Sequence, residues 1–448
     1  MNISLNDLVY YRKENNKVLL INKETGRWYV GKDENNILDD ILDGKQDAFK
    51  SEIYHQLVQQ NILYTRPEEI EIEQPYSEIL GLVILDTTIM CNLACKYCFV
   101  DAPPKGSKMN LYTAIHALEK VLNYNKCAEV LTIEFSGGEP LVNFEMIKDF
   151  IPIADNMAKE MGKKLTYTIQ TNGTLLTDEI ITFLLDHNVN IGISIDGEAE
   201  VHDANRIFHD GTGSLSTIIR NIELLQTRGG HVSILAVISS VYQYESVIKF
   251  ATAHNISDIR TNLVTKAGRA KKGDSFSLEY IAMADKFVEV ADRILHGELK
   301  IKDATLTFFL WNLLLMQPHM CFRSPCGAGT NQISITATGD IYPCQGWRNI
   351  HDSPVGNVND NTDLNTLLMN NNRVQELRNH IVRTSPSCQD CNWKTFCGVC
   401  PREIYSETGS VHGQIGQCIF EGRVFEALMW KFYDCHDEIK RYLSETVN

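Results

Sequence analysis

One feature is missing from this chain of 448 residues and another is scarce, and each makes a class of function less expected. No run of eighteen apolar residues occurs, so a membrane-spanning helix is not expected. Positive charge is also in short supply, since 42 Lys and Arg stand against 57 Asp and Glu and give a net charge of −15. Because phosphate binding needs clustered Lys and Arg, nucleic acid is not expected as the main partner.

The first residues, MNISLNDLVYYRKENNK, carry charge where a signal peptide has its apolar region. We therefore expect a cytoplasmic protein, whose thiols stay reduced. The thirteen cysteines are then not a disulfide framework, and their regular spacing indicates metal binding or catalysis. Cys127 and Cys435 stand outside the spaced groups and are interpreted as small buried hydrophobic residues.

The chain is too long for one core, and its sequence divides into three segments. Residues 1–66 show three strand patterns and then two helical ones, which predicts a small α+β module. The charged residues 66–78 contain two prolines and are interpreted as a linker. In residues 301–448, cysteines, glycines and turns dominate, a composition typical of a segment that folds around metal.

Residues 80–300 alternate strand and helix patterns. Strands are predicted at 81–86, 129–135, 164–170, 189–195, 231–238 and 258–264. Six βα units in series predict an α/β fold with a parallel sheet, open or closed into a partial barrel. Ligand chemistry in such folds lies at the carboxyl ends of the strands. The distinctive stretches fall at those ends: CNLACKYC (91–98), SGGEP (136–140), QTNGT (170–174) and SIDG (194–197).

The first of these loops carries Cys91, Cys95 and Cys98 in a C-x3-C-x2-C spacing. Three thiolates hold three corners of a tetrahedral ion or of an iron–sulfur cluster. Structural zinc prefers two C-x2-C pairs, so a cluster with one iron open to a further ligand fits the spacing better. A zinc site with a distant fourth ligand is the alternative.

This loop, with Tyr97 before its last cysteine, resembles that of the radical SAM enzymes, and the three other loops agree with the resemblance. The resemblance implies a partial (β/α)6 TIM-type barrel, with a [4Fe–4S] cluster on the three cysteines and S-adenosylmethionine (SAM) on its open iron. One electron, from a donor such as flavodoxin or ferredoxin, would cleave SAM to a 5′-deoxyadenosyl radical. The residues implied to contact SAM are Gly137, Gly138, Glu139 and Pro140 of a GGEP motif, Asn172, Ser194 and Arg206. Gly268-Arg269-Ala270 also recurs in the family, but we assign it no role, and no catalytic acid or base is assigned.

The C-terminal segment resembles a SPASM domain, which carries two auxiliary [4Fe–4S] clusters. The resemblance implies that the first is bound by Cys321, Cys326, Cys344 and Cys400, and the second by Cys388, Cys391, Cys397 and Cys418. The family's cysteine block ends in C-x3-C, whereas this chain has Cys397-x2-Cys400, a departure that bears on the placement of Cys400. Taken alone, the two C-x2-C pairs would also suit a zinc knuckle.

Residues 1–66 resemble the PqqD-like winged-helix domain that recognises leader peptides by adding them to a sheet edge. Together the resemblances imply a radical SAM maturase of a ribosomally made precursor peptide. The expected product is a thioether cross-link, with a carbon–carbon or carbon–oxygen cross-link as the near alternative. Two other functions stay open: an anaerobic sulfatase-maturating enzyme that forms formylglycine, and a non-catalytic binding protein structured by zinc.

Overall fold

The structure is a computed structural model that describes residues 8–63, 78–271, 276, 278–314, 320–350 and 354–446. The linker predicted at 66–78 lies almost entirely outside these residues. The N-terminal part forms an antiparallel sheet in the order β1-β2-β3, followed by two helices. Its elements are β1 (Val9–Glu14), β2 (Lys17–Asn22), β3 (Trp28–Lys32), α1 (Ile37–Leu42) and α2 (Glu52–Gln59). The predicted order of three strands and then helices is confirmed.

The central part alternates strands and helices as predicted. Its strands are β4 (Leu80–Thr88), β5 (Cys127–Gly137), β6 (Lys164–Thr171), β7 (Val189–Ser194), β8 (Ser233–Ile238) and β9 (Asp258–Leu263). Its helices are α3 (Leu111–Leu122), α4 (Phe144–Glu160), α5 (Asp178–Asp186), α6 (Ala199–Asn205), α7 (Leu215–Thr227), α8 (Val241–Ala253) and α9 (Tyr280–Leu295). Neighbouring strands from β4 to β9 are parallel, so the predicted α/β core is confirmed.

Local sequence explains these elements. In β6, Leu165, Tyr167 and Ile169 are buried while the residues between them are not, the period of two that marks a strand packed on one face. Helix α5 begins after the N-cap Thr177, whose hydroxyl accepts a hydrogen bond from Ile180 N at 3.3 Å.

The strands of the C-terminal segment extend both edges of the central sheet. The added strands are β10 (Lys302–Asp303), β11 (Gln332–Ile335), β12 (Asp340–Tyr342) and β13 (Gly356–Asn357). β10 pairs with β9, and β11 pairs with β4, both in parallel. The resulting ten-stranded sheet runs β10-β9-β8-β7-β6-β5-β4-β11-β12-β13 and is open.

The helices of this segment are α10 (Ala304–Leu313), α11 (Leu364–Asn370), α12 (Asn372–Asn379), α13 (Pro401–Thr408), α14 (Gly416–Asp434) and α15 (His436–Thr446). In α14, Phe420, Val424 and Leu428 are buried every four residues, a helical pattern that the cysteine spacing had obscured. This helix packs against α9 and against β3. No helix in the described part of the chain combines the length and apolarity needed to cross a bilayer.

Candidate active site

Residues of the open central sheet and of the C-terminal segment line a cavity of about 930 Å³. Six cysteines line it, three from the loop after β4 and three from the C-terminal segment: Cys91, Cys95, Cys98, Cys321, Cys344 and Cys400. The cavity therefore joins two cysteine groups that are more than 200 positions apart in the sequence.

In the first group, Cys91 and Cys95 are buried and Cys98 is partly exposed. Burial raises the pKa of Cys91 to about 12 and that of Cys95 to about 11, and nearby thiols contribute to both increases. Leu93 N donates a hydrogen bond to Cys91 Sγ at 3.4 Å. Three thiols on one loop, two of them buried, form a donor set that fits a bound iron–sulfur cluster.

The spacing of the sulfurs argues against a single zinc ion. Zinc holds sulfur at about 2.3 Å, which places the sulfurs of a tetrahedral site about 3.8 Å apart. Within the described residues, the one set of three metal-ligand atoms within 4.8 Å of one another belongs to Asp292, His296 and Cys435. All thirteen cysteines are among these residues, so no three of their sulfurs lie as close as zinc requires. Of the two isolated cysteines, Cys435 is buried as predicted and Cys127 is partly exposed.

The GGEP motif holds the start of the cysteine loop. A Cβ on Gly137, whose φ is +122°, would lie 2.3 Å from Thr88 O, and one on Gly138 would lie 2.1 Å from Met90 O. Gly138 N donates to Thr88 O and Glu139 N donates to Met90 O, each at 2.8 Å. Glycine is required at both positions because the two backbones touch.

The Glu139 carboxylate is held by hydrogen bonds from two neighbouring loops. It accepts hydrogen bonds from Asn172 N and Thr171 Oγ1 at 2.7 Å and from Leu141 N at 3.1 Å. The side chain is 1% exposed, and burial raises its pKa to about 7. Glu139 and Pro140 stand behind the cavity wall, and only the two glycines of the motif line the cavity. The carboxylate therefore joins the loops after β5 and β6, and the expected contact of Glu139 with SAM stays a prediction.

Asn172 and Ser194 line the cavity, at the ends of β6 and β7. Asn172 Nδ2 donates to Asn92 Oδ1 at 2.9 Å and lies 3.8 Å from Cys91 Sγ. Ser194 Oγ accepts a hydrogen bond from Gln170 Nε2 at 3.3 Å. Asn172 is thus positioned beside the cysteine loop, and Ser194 beside Gln170 of β6.

Arg206 lines the cavity between the cysteine loop and the end of β7. Its Nε lies 3.1 Å from Asp196 Oδ2, and its guanidinium lies 5.3 Å from the centre of the Tyr97 ring. Tyr97 Oη also donates a hydrogen bond to Asp196, which is fully buried. A guanidinium has five N–H donors, so the ion pair leaves donors for a ligand carboxylate.

The Gly268–Ala270 stretch, to which the sequence assigned no role, binds the cysteine loop. Arg269 Nε donates to Cys95 O at 2.8 Å, and Arg269 N donates to Cys98 O at 2.9 Å. Arg269 Nη1 donates to Ala102 O at 3.1 Å. At Gly268, with φ +54°, a Cβ would lie 2.3 Å from Cys98 O. The loop after β9 therefore fixes the loop after β4, a long-range contact that spacing does not reveal.

The first auxiliary group is assembled around Cys326. Burial raises the pKa of this thiol well above its ordinary value, and the thiols of Cys400, Cys344 and Cys321 add to the increase. The four cysteines therefore lie together. The short spacing between Cys397 and Cys400 does not separate Cys400 from the group.

The other four cysteines form a second group. Burial raises the pKa of Cys397, and so do the Glu421 carboxylate and the thiols of Cys418 and Cys391. Burial raises the pKa of Cys418 to about 11, with contributions from Cys388 and Cys391. The second C-x2-C pair is thus divided between the two groups, whereas a zinc knuckle holds both pairs on one ion.

Sequence reasoning missed two charged residues that line the same cavity from the core strands. Glu134 lies in β5, where burial raises its pKa to about 7 and the charge of Arg260 in β9 partly offsets that increase. The Arg260 guanidinium lies 5.8 Å from the ring centre of Phe308 and 5.6 Å from that of Phe322. Its Nε is buried and has no hydrogen-bond partner among the described residues. The available signal was a charged residue within a predicted strand.

A buried polar contact also joins the barrel to the C-terminal segment. Gln345 Nε2 donates to Asp86 Oδ1 at 2.9 Å and to Ser136 Oγ at 2.7 Å. Arg348 forms an ion pair with the same carboxylate of Asp86, which is fully buried. These contacts place Cys344 against the ends of β4 and β5.

Comparison with known proteins agrees with this arrangement. Residues 85–254 match the Radical SAM superfamily, and residues 326–392 match SPASM, described as an iron–sulfur cluster-binding domain. The chain is 26% identical over 383 residues to the radical SAM cyclopropyl synthase TigE of Paramaledivibacter caminithermalis, covering 78% of this chain and 76% of that protein. It is 25% identical over 338 residues to a cysteine-type anaerobic sulfatase-maturating enzyme of Clostridium novyi, covering 71% and 86%.

Solved structures share the fold. Native anSMEcpe with bound AdoMet is similar with a TM-score of 0.67 at 22% identity, covering 80% of this chain and 98% of that chain. SuiB of Streptococcus suis bound to S-adenosylmethionine is similar with a TM-score of 0.59 at 17% identity, covering 92% and 99%. The alternative of a non-catalytic zinc protein is overturned by the radical SAM match. With both domains found in the predicted order, the chain is an enzyme that contains a radical SAM domain and a SPASM domain, and its cofactors are [4Fe–4S] clusters and SAM.

Proposed function

We propose that this enzyme matures a ribosomally made precursor peptide by closing a cross-link from a peptide cysteine sulfur to carbon. The observation that carries the proposal is the shared cavity of about 930 Å³, lined by the radical SAM cysteines and by three cysteines of the first auxiliary group. A peptide segment in this cavity lies within reach of both cysteine groups.

In this proposal, Cys91, Cys95 and Cys98 bind the SAM-binding cluster, and the eight C-terminal cysteines bind two auxiliary clusters. Gly137, Gly138, Asn172, Ser194 and Arg206 face SAM. When bound, the first cluster and SAM supply the one-electron chemistry that removes a hydrogen atom from the peptide. A cross-linked carbon–carbon or carbon–oxygen product is the near alternative within the same class.

The atoms and electrons in thioether formation balance as follows. One C–H and one S–H bond are lost and one C–S bond forms. One hydrogen leaves as an atom, and the other leaves as a proton together with one electron, for which a bound auxiliary cluster would be the acceptor. The chain must therefore offer a proton acceptor inside the cavity. Glu134 suits this role, since it lines the cavity and its pKa of about 7 lets it accept a proton near neutral pH.

Residues 1–66 bind the leader of the precursor in this proposal. In the antiparallel sheet, β1 and β3 are the outer strands, and an extended peptide adds to such an edge. The sheet is anchored to the rest of the chain, because Trp28 Nε1 donates to Leu313 O at 2.9 Å and the Trp28 ring lies 5.2 Å from that of Phe432. SuiB, which has been solved with its precursor peptide SuiA, aligns over 91–92% of this chain, against 80% for anSMEcpe.

The test is anaerobic co-expression with a short cysteine-containing peptide encoded beside the gene, followed by mass spectrometry. We expect a product lighter by two hydrogen atoms per cross-link, and unmodified peptide from a control chain with Cys91, Cys95 and Cys98 replaced by alanine. Deleting residues 1–66 is expected to abolish modification while SAM cleavage without peptide persists. An unmodified peptide with the wild-type enzyme would contradict the proposal.

Sulfatase maturation is the second candidate, favoured by the relatives of that activity and by the fold shared with anSMEcpe. It predicts an aldehyde on a cysteine or serine of a sulfatase-derived peptide, which a hydrazide reagent detects. It also predicts that removal of residues 1–66 leaves turnover unchanged. The two candidates thus give opposite results with the same deletion.

A further inference from the structure

Arg402 has donors that nothing in the described protein satisfies. The side chain is 8% exposed, in the first turn of α13, and its Nε and Nη1 atoms are buried without a hydrogen-bond partner. Its Nη2 lies 3.6 Å from Glu403 Oε1. Buried, unpaired guanidinium donors are costly, so a folded protein retains them where a ligand accepts their hydrogen bonds.

The surroundings of Arg402 point to that ligand. Its charge lowers the pKa of both Cys344 and Cys400, which places the guanidinium beside two members of the first auxiliary group. Arg402 also lines the cavity with these cysteines. A Cβ on Gly346 would lie 2.9 Å from Arg402 Nε, so the absence of a side chain at 346 makes room for the guanidinium.

We propose that Arg402 donates hydrogen bonds to the sulfur atoms of the first auxiliary cluster and raises the reduction potential of that cluster. The inference rests on the cluster ligands of the proposed function. Each one-electron reduction adds negative charge to a cluster, and N–H donors and a nearby cation stabilise that charge. Arg402 is thus a positioning and tuning residue that favours electron transfer from the peptide to the cluster.

The test is a redox titration of the anaerobically reconstituted enzyme, followed by electron paramagnetic resonance. A chain with Cys91, Cys95 and Cys98 replaced by alanine assigns the auxiliary signals. We expect one auxiliary midpoint potential to fall in Arg402→Gln and to fall less in Arg402→Lys, which keeps the charge. Arg373→Gln is the matched control, because it also removes one positive charge. The Arg373 guanidinium lies over the Trp347 ring, 4.7 Å from the ring centre.

An unchanged potential in Arg402→Gln, or an equal fall in Arg373→Gln, would overturn the inference. If Arg402→Gln does not retain the cluster, wild-type enzyme labelled with 15N-arginine decides: pulsed measurements should detect coupling between the reduced cluster and an arginine nitrogen, and its absence refutes the proposal. Wild-type enzyme with iron for two clusters would overturn the ligand assignment and this inference together. A shifted potential with unmodified peptide would instead sustain this inference and refute the peptide substrate.

Discussion

Replacing Glu139 with glutamine tests whether the acidic residue of the GGEP motif joins two loops. The wild-type carboxylate is 1% exposed and accepts hydrogen bonds from Leu141 N, Thr171 Oγ1 and Asn172 N. Glutamine has the same shape but one accepting oxygen. Its amide therefore leaves one of these donors unpaired, at a cost of about 1–3 kcal/mol to the free energy of unfolding.

The stability difference between the wild type and Glu139→Gln should also depend on pH, in a direction that the pKa of Glu139 predicts. Burial raises the pKa of Glu139 from 4.5 to about 7, a difference that corresponds to about 3 kcal/mol. The folded state binds the proton more tightly, so the stabilisation is complete below pH 4.5 and is lost as the pH rises through about 7. Glutamine does not titrate. The advantage of the wild type over Glu139→Gln should therefore shrink by up to about 3 kcal/mol as the pH rises.

The assay is the apparent thermal midpoint of both proteins without SAM, at one scan rate, across this pH range. For a domain of the barrel's size the shrinkage corresponds to roughly 6–12 °C. Because all other titrating groups are shared, they cancel in the difference between the two proteins. A difference that stays constant with pH, or grows as the pH rises, would refute the reasoning.

Three further perturbations follow from the site. Arg269→Gln removes the hydrogen bond to Cys95 O, so we expect faster loss of iron to a chelator than in the wild type. Asp86→Ala removes the partner of Arg348 and should lower the free energy of unfolding by about 3–5 kcal/mol, which a lower thermal midpoint would show. The double replacement Asp86→Ala with Arg348→Met should restore most of that stability. Glu134→Gln should lower cross-linked peptide per 5′-deoxyadenosine formed, and it should flatten a yield that in the wild type rises through pH 7.

Much of the barrel could be predicted because its signals are local. Strand β2 has a continuous run of apolar residues, and in β6 buried residues alternate with less buried ones. Helix α5 begins after a threonine that caps it. The cysteine loop and the glycines of GGEP were found from short motifs at strand ends. Their grouping in space follows from the parallel sheet, which brings the carboxyl ends of its strands together.

The remaining features depend on contacts that spacing does not encode. The Asp86–Arg348 pair joins residues 262 positions apart, and β11 extends the sheet beside β4 from the far segment. The Glu139 carboxylate faces a neighbouring loop because β6 ends there, which the motif alone does not show. The role of Arg269 could not be predicted without knowing which loop passes over Cys95.

The most direct test of the proposed three-cluster enzyme is the iron and sulfide content of the chain after anaerobic reconstitution. We predict about twelve iron and twelve sulfide per wild-type chain, as three [4Fe–4S] clusters require, and about eight of each when Cys91, Cys95 and Cys98 are replaced by alanine. Zinc without sulfide, or a wild-type content that this triple replacement does not lower, would contradict the account.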